Sequence, residues 1–366
     1  MQTSPLANLP RIPIAIVGLR FGNQVITRQL ISGPGSAYFD VVGICDMDRK
    51  RSSEISAALG LKVYADLEEI LGDPTVPAIG LYSGPSGRAE LLRKIIRAGK
   101  DVMTTKPLEL DPEAVLLVLR EARALGRVIH LNSPAPVAPA DIAQIVSWRS
   151  AYDLGTAVGC RADTWANYSE QADGTWYDDP GKCPVAPIFR LGIYLINDLV
   201  AIFGKPEEVQ VFASRLTTGR PTPDTAQIGI RFANGGLANI FSSFCVMDAD
   251  PYRNSLVLNF QRGTVYRNSG PCEIPGTGFE AMSELSLVIE KEGGRFVAEK
   301  VRASASGQYR WDLFHQALRG ERIAGELPPD QIVDGLRVIR AMAEALRTGR
   351  SVRVEQQSDA NHGNRL

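Results

Sequence analysis

The first 131 residues alternate short apolar runs with helical stretches, and this alternation limits the chain to few folds. The predicted strands are 12–17, 39–45, 62–64, 78–82, 101–103 and 128–131, of which 12–17, 78–82 and 101–103 have the pattern of buried strands. Helix signals separate them, such as Asp66 with Glu69 three residues later, and Asp111 before an apolar-periodic stretch. Strands that alternate with helices in this way form a parallel, doubly wound sheet.

A proline-rich segment at 133–139 ends this pattern and predicts a domain boundary. The later strands are longer and alternate apolar with polar residues, and Asn234-Gly235-Gly236 predicts a hairpin between two of them. We therefore predict an α/β chain with one domain at 1–133 and a second at 134–355 that holds a large, mostly antiparallel open sheet. The polar end, 356–366, is predicted to be disordered.

Charge and composition exclude several classes of protein. The 366 residues carry 40 basic and 41 acidic side chains, so no basic excess predicts nucleic-acid binding. No apolar run is long enough to span a membrane, and the beginning of the chain does not resemble a signal peptide. Five widely spaced cysteines without a CxxC pair, and three histidines, predict neither a disulfide framework nor a metal site. These features favour a cytoplasmic protein.

The turn after the first strand predicts a dinucleotide site. It reads Gly18-Leu19-Arg20-Phe21-Gly22-Asn23, in which only the first of the three usual glycines is in place and Arg20 takes the second position. Asp46 ends the second strand, where an acid normally binds the ribose hydroxyls of the cofactor. The acid favours NAD, and the nearby Arg49 leaves NADP open.

A lysine follows the fifth strand at Lys106-Pro107. Ligands of open α/β sheets bind at the carboxyl ends of the strands, and Pro107 restricts the backbone of the residue before it. The amine of Lys106 is therefore aimed at that edge, where it could act on a substrate hydroxyl or carbonyl.

Four blocks in this order resemble the Gfo/Idh/MocA oxidoreductases over roughly residues 12–355. The blocks are Ser83-Gly84-Pro85, Ala98-Gly99-Lys100-Asp101-Val102 leading to Lys106-Pro107, the helix Leu191-Gly192-Ile193-Tyr194-Leu195-Ile196-Asn197-Asp198, and the hairpin from Asp224 to Gly235. The helix matches the variant of the family motif in which the histidine is tyrosine and the last aspartate is asparagine.

The resemblance implies an N-terminal Rossmann domain that binds NAD(P) and a C-terminal domain that binds substrate and forms a homodimer or homotetramer. It assigns the proton transfer to Lys106 together with Tyr194. Its cofactor-binding residues would be Gly18, Arg20, Phe21, Asp46, Ser83, Pro85, Arg88, Lys106 and Pro107. Its substrate-binding residues would be Lys106, Trp165, Trp176, Arg190, Tyr194 and Asn197.

Three residues depart from the family pattern. Thr105 replaces the glutamate before Lys-Pro. Arg190 replaces the aspartate that opens the second-domain helix motif, so it would place a cation at the rim of the site that could grip a carboxylate or phosphate. Arg88 stands where the family often has histidine, and Arg88 or Arg20 could contact the cofactor pyrophosphate.

Aromatic residues precede the Tyr194 helix at Trp165, Tyr168, Trp176 and Tyr177. They could bind the apolar faces of sugar rings, or they could cover the core or a subunit contact. His130, on the last strand of the first domain, is predicted to be structural.

Together these features predict an NAD(P)-dependent dehydrogenase acting on a secondary hydroxyl of a sugar, glycoside or cyclitol. Two alternatives stay open. One is a redox-neutral enzyme with tightly bound NAD, and the other is a non-catalytic member of the family that binds a nucleotide or a sugar.

Overall fold

The computed structural model describes residues 10–168, 170–248, 252–270 and 281–355. These residues form two compact units. The first holds the described residues up to Ala140, Ala281 and Ser304–Ile332, and the second holds the described remainder. The observed division differs from the predicted one because Ser304–Ile332 belongs to the first unit rather than to 134–355. The predicted tail at 356–366 lies outside the described residues.

The first unit contains a six-stranded parallel sheet. Its strands are β1 (Ile12–Val17), β2 (Phe39–Cys45), β3 (Lys62–Val63), β4 (Ala78–Leu81), β5 (Asp101–Thr104) and β6 (Ile129–Leu131). The helices between them are α1 (Leu19–Val25), α2 (Arg49–Leu59), α3 (Leu67–Gly72), α4 (Arg88–Arg97) and α5 (Pro112–Ala124). The strand order β3-β2-β1-β4-β5-β6 is that of a Rossmann-type sheet and confirms the predicted fold.

The helices of this unit begin and end where the sequence signals predict. Asp48 accepts the amide proton of Arg51 at the start of α2, and Gly60 ends that helix in the left-handed region at φ 69°. Asp111 accepts the amide proton of Glu113 at the start of α5. A difference appears after α1, where the helix continues as a π-helical turn over Ile26–Ile31.

The second unit contains a nine-stranded mixed sheet in the order β14-β13-β12-β11-β7-β10-β9-β8-β15. Its elements up to the last hairpin are α6 (Ala140–Ala151), β7 (Ala157–Trp165), α7 (Ile193–Phe203), β8 (Pro206–Ser214), β9 (Thr225–Phe232), β10 (Leu237–Ser243), β11 (Arg253–Phe260), β12 (Gly263–Arg267), β13 (Met282–Lys291) and β14 (Gly294–Ser304). A π-helical turn, Ile188–Gly192, leads into α7. The pair β7 and β10 is parallel, whereas β9 and β10 form the predicted antiparallel hairpin, with Gly235 at φ 85°.

The remaining elements are α8 (Trp311–Leu318), α9 (Pro329–Thr348) and β15 (Val352–Arg353). Helix α8 belongs to the first unit, where Trp311 donates from Nε1 to Gln29 Oε1 at 3.0 Å and Phe314 stacks on Phe39 with ring centroids 5.3 Å apart. These contacts explain why Ser304–Ile332 belongs to this unit. The sequence pattern predicts no strand at β13 and β14, and β14 is exposed along most of its length, so no alternation of buried apolar residues marks it.

His130 on β6 is buried beside Phe314, with ring centroids 5.6 Å apart and an exposed fraction of 2%. Burial lowers its pKa from 6.5 to about 4, against a smaller opposing effect of Asp312. Between pH 6.5 and pH 4 the imidazole of His130 is protonated in the unfolded chain but not in the folded chain. The contribution of His130 to the free energy of unfolding is therefore fully present above pH 6.5 and is lost as the pH falls toward 4. We expect His130→Leu to reduce this acid-side loss by up to about 3 kcal/mol, measured by urea unfolding at several pH values. Parallel pH profiles for the two proteins would contradict this prediction.

Candidate active site

The glycine turn lies where the direction of the strand order reverses. Strand β1 pairs with β2 on one side and with β4 on the other, which makes their carboxyl ends the topological switch point of the sheet. Gly18 has φ 87°, and a Cβ there would lie 2.7 Å from Ser83 N and 2.7 Å from Tyr82 C. Glycine is therefore required for the end of β1 to lie against the end of β4.

Gly22 allows the close helix packing that the third glycine of the motif usually provides, although it stands one residue before the expected position. A Cβ at Gly22 would lie 2.9 Å from Ile16 Cγ2, so α1 approaches β1 closely at this point. Phe21 meets Tyr82 edge to face with ring centroids 5.9 Å apart, and Arg20 is exposed. A tight glycine turn and a closely packed first helix are backbone features that a dinucleotide cofactor needs, so these residues fit one.

Asp46 is held at this turn by the backbone. Its Oδ2 accepts the amide proton of Leu19 at 2.5 Å, and its Oδ1 accepts from the amide of Asp48 at 2.8 Å and from Arg51 Nη1 at 3.3 Å. The carboxylate thus occupies a fixed position at the end of β2, with Arg51 rather than the predicted Arg49 as its basic neighbour. Its role toward the ribose remains a prediction.

Lys106 follows β5, the strand next to β4, and its backbone is fixed by Asn132. The amide of Lys106 donates to Asn132 Oδ1 at 3.0 Å, and Thr105 Oγ1 lies 3.3 Å from the same oxygen. Asn132 in turn donates from Nδ2 to the carbonyl of Gly307 at 3.1 Å. The Lys106 side chain is half-buried. Asn132 was missed by sequence reasoning, although its place directly after β6 was a usable signal.

Arg88 differs most from its predicted role. It is only 2% exposed, and its guanidinium donates to the carbonyls of Thr105 and Pro107, each at 2.6 Å, and to the carbonyl of Ser83. The predicted contact with the cofactor pyrophosphate is not supported, because these backbone groups inside the unit hold the guanidinium. Pro85, in the same loop as Ser83, is buried.

In the second unit, Tyr194 and Asn197 lie on α7. Tyr194 is half-buried, and its predicted catalytic role stays a prediction. A Cβ at Gly335 would lie 2.0 Å from Asn197 Oδ1, so the amide oxygen lies directly against the backbone of α9. This contact favours a packing role for Asn197 over the predicted hydrogen bond to a sugar hydroxyl.

Arg190 is the centre of an arginine–aromatic cluster formed with Glu170, Tyr168, Tyr177 and Phe244. Its guanidinium makes a bidentate pair with Glu170, from Nη1 at 2.6 Å and from Nη2 at 2.7 Å. The centre of the guanidinium lies 4.0 Å from the Tyr177 ring, 4.6 Å from the Phe244 ring and 5.0 Å from the Tyr168 ring. Burial, the largest single effect, lowers the pKa of Arg190, but the hydrogen bonds that it donates to Glu170 and the interactions with Tyr177, Glu170 and Tyr168 together outweigh burial, so the pKa is raised.

A second arginine joins this cluster to the preceding loop. Arg220, 5% exposed, has its Nε 3.5 Å from Glu170 Oε2, and its Nη1 donates to Asp178 and Asp173. The prediction that Arg190 offers a cation to an anionic substrate is therefore wrong as stated, because Glu170 neutralises it. Sequence alone could not identify this pairing, since Glu170 lies 20 residues before Arg190 in an irregular segment.

Of the predicted aromatic residues, Tyr168, Trp176 and Tyr177 lie at this cluster, and Trp165 lies at the end of β7. Trp176 packs on Tyr177 with ring centroids 4.1 Å apart and the ring planes tilted by 40°. Trp165 ends β7, and its Nε1 lies 3.4 Å from Asp248 Oδ1. Both tryptophans are half-buried, which leaves part of each ring accessible.

The described ranges show neither a metal-binding cluster nor a membrane-spanning helix. They contain no group of three or more histidine, cysteine, aspartate or glutamate side chains placed to hold a metal ion. Every helix in the part of the chain that the structure describes is too short or too polar to cross a membrane.

The fold and the glycine turn define the first unit as a Rossmann-type dinucleotide-binding domain. Two family models match this chain: the NAD-binding Rossmann fold of the GFO_IDH_MocA oxidoreductase family over residues 12–133, and the GFO/IDH/MocA C-terminal domain over residues 142–266. The chain belongs to the Gfo/Idh/MocA family of oxidoreductases.

The proteins that are similar to this chain include dehydrogenases. Trans-1,2-dihydrobenzene-1,2-diol dehydrogenase from Oryctolagus cuniculus is 25% identical over 289 residues, which cover 77% of this chain and 80% of the relative. Among solved structures, levoglucosan dehydrogenase in complex with NADH and L-sorbose matches with a TM-score of 0.73 at 14% identity, covering 95% of this chain and 100% of the other. GenD2 from gentamicin A biosynthesis in complex with NAD has a TM-score of 0.73 at 19% identity, over 95% of this chain and 97% of the other.

Proposed function

We propose that this protein is an NAD-dependent dehydrogenase that acts on a secondary hydroxyl of a neutral cyclic substrate such as a sugar, glycoside or cyclitol. The observation that carries the proposal is the fixed placement of Lys106 after β5, beside the strand whose end packs on the Gly18 turn. The names of two similar proteins support the substrate class, since one is a dehydrogenase of a ring-bearing diol and the other is levoglucosan dehydrogenase.

A nicotinamide cofactor held by the Gly18 turn, Asp46 and the Ser83 loop would supply hydride exchange with the substrate carbon. In this chain, the Lys106 amine is the group we propose to accept the hydroxyl proton, which is the role of a general base. Asn132 fixes the backbone from which that amine extends. Tyr194 is proposed as the second catalytic residue on the strength of the family resemblance, and Gly18, Asp46 and the Ser83 loop as the binding surface for the cofactor.

The cluster around Arg190 supports a neutral substrate. Its two buried arginines are paired with Glu170, Asp173 and Asp178, so their charge is compensated within the unit. The half-buried rings of Trp165 and Trp176 offer apolar surface of the kind that covers one face of a sugar or cyclitol ring.

A substrate panel tests the proposal. Purified protein is incubated with NAD or NADP and with D-glucose, levoglucosan, myo-inositol or trans-1,2-cyclohexanediol, and the absorbance of the reduced nicotinamide is followed. Turnover with at least one neutral ring alcohol supports the function. Protein that retains NAD through desalting but shows no net turnover would instead favour a redox-neutral reaction, and the absence of cofactor binding would contradict the proposal.

Glu170→Gln tests the charge selectivity of the proposed site. The variant keeps the shape of the side chain but removes the carboxylate that pairs with Arg190, while Arg220 keeps its pairs with Asp173 and Asp178. The guanidinium of Arg190 is then available to an anion, so a sugar acid or sugar phosphate should gain about tenfold in kcat/KM relative to the neutral substrate. Sulfate should also raise the Tm of the variant more than that of the parent. Glu207→Gln is the matched control, because Glu207 forms an exposed pair with Arg231. Unchanged selectivity would place the cluster away from the substrate.

The oligomeric state is part of the proposal. The family resemblance implies a homodimer or homotetramer through the second unit. Large apolar side chains exposed on its strands support this, among them Val158, Phe212 and Leu237. Light scattering of the purified protein measures the mass directly.

A further inference from the structure

Arg88 contacts the backbone on both sides of Lys106. Its Nη1 donates to the carbonyl of Thr105 at 2.6 Å and to the carbonyl of Pro107 at 2.6 Å, and its Nη2 donates to the carbonyl of Ser83. One guanidinium therefore joins the loop after β4 to the loop after β5. Both loops lie at the carboxyl edge of the sheet, where open α/β sheets bind ligands.

The guanidinium is charged although it is buried. Burial lowers its pKa to about 10, and the nearby negative charge of Glu109 opposes that decrease, so Arg88 remains protonated at neutral pH. Glu109 is itself 5% exposed and is held by the amides of Gly87 at 3.2 Å and Ala89 at 3.0 Å. Charge-assisted hydrogen bonds from a planar guanidinium are stronger and more directional than neutral ones, so the carbonyl groups it binds are held in defined orientations.

Asn132 completes this arrangement from the other side. Its Oδ1 accepts the amide proton of Lys106 at 3.0 Å. The backbone is thus held at the carbonyl before Lys106, at the amide of Lys106 and at the carbonyl of Pro107. The half-buried side chain then extends from a backbone whose position is set by two side chains from other strands and helices.

We propose that Arg88 is a positioning residue for Lys106. By holding the carbonyls of Thr105, Pro107 and Ser83 together, it sets the place from which the lysine amine reaches the substrate hydroxyl. It replaces the role that the sequence suggested for it, a contact with the cofactor pyrophosphate. This inference rests on the proposed function for its catalytic consequence, while the positioning itself can be measured without turnover.

The experiment compares Arg88→Met, Arg88→Lys and Arg97→Met in the full chain. Arg97 is the matched control, since it lies on the same helix with a side chain that is 63% exposed and paired with Glu121. Three quantities are measured: hydrogen exchange of the Lys106 amide in the cofactor-free protein, the Kd for NADH by fluorescence, and kcat and KM with the neutral alcohol that the wild type oxidises fastest. A primary isotope effect with the deuterated alcohol completes the set.

Arg88→Met should exchange the Lys106 amide at least tenfold faster and lower kcat about 10- to 100-fold. Its KM and its Kd for NADH should stay within about threefold of the wild-type values. Its isotope effect should rise, because misplaced reacting groups slow the hydride step and that step then limits turnover. Arg88→Lys should recover part of both losses, because an ammonium still donates hydrogen bonds, and Arg97→Met should match the wild type.

Two results would overturn the inference. One is an Arg88→Met protein with wild-type exchange and kcat. The other is a variant whose loss appears in the Kd for NADH rather than in kcat, which would restore the cofactor role. If Arg88→Met does not fold, Arg88→Lys and Arg88→Gln carry the same comparison. A wild type without turnover would contradict the proposed function, and the exchange rates would still decide whether Arg88 positions Lys106.

Discussion

Lys106→Met is expected to lower kcat by about 10²- to 10⁴-fold, the range in which a positioned general acid or base contributes. The side chain keeps most of its length but can no longer accept a proton. The Kd for NADH should change by less than about threefold, since the proposed task of the amine is proton transfer. The measurement is steady-state turnover with a neutral ring alcohol, together with fluorescence titration of NADH.

Lys94→Met is the control for this prediction. Lys94 lies on α4 and pairs with Glu68 at 2.9 Å, and its side chain is 58% exposed. It should leave both quantities unchanged. An active Lys106→Met enzyme would remove the proton-transfer assignment, and equal losses in kcat and in NADH binding would assign Lys106 to the cofactor instead.

Arg267→Met should destabilise the second unit by about 3–5 kcal/mol, because it removes the guanidinium that pairs with two buried carboxylates. Arg267 on β12 is 1% exposed, and its Nη1 lies 3.1 Å from Asp141 Oδ2 and 2.8 Å from Asp198 Oδ2. Its Nη2 also donates to Asn254 Oδ1 at 2.7 Å. This arginine therefore links α6, α7 and β11. Urea unfolding at neutral pH measures the change.

Arg302→Met is the matched control, since Arg302 forms an exposed pair with Glu284 at 2.7 Å. Exposed pairs of this kind contribute about 1 kcal/mol or less. If Arg267→Met unfolds at the same urea concentration as this control, the buried carboxylates must be stabilised by other groups. Asp198, the last residue of the helix block matched in the sequence, lies in this network.

Local signals were sufficient for most elements of the first unit. Asp48 and Gly60 mark the two ends of α2, and Asp111 marks the start of α5, because capping is a contact between residues a few positions apart. The Asn234-Gly235 turn likewise predicts the β9–β10 hairpin. Strand β14 could not be predicted, since its exposed residues carry no hydrophobic period.

The position of Lys106 was predicted in the same way, but the contacts that hold its backbone were not. Lys106 could be recognised because it directly follows an apolar strand and precedes proline. Asn132, which binds its amide, lies 26 residues later in the chain. No periodicity relates two residues at that distance, so only the parallel pairing of β5 with β6 brings them together.

What the sequence by itself determined was the α/β alternation, the glycine turn, the position of Lys106 and the family. What only the tertiary structure decided was the environment of each charged side chain. Arg88 and Arg190 both appeared from sequence to be available cations, but the fold buries Arg88 among carbonyls and pairs Arg190 with Glu170. The physical reason is that strand and helix formation depend on neighbours along the chain, whereas the effect of a charge depends on burial and on partners that the folded chain brings close.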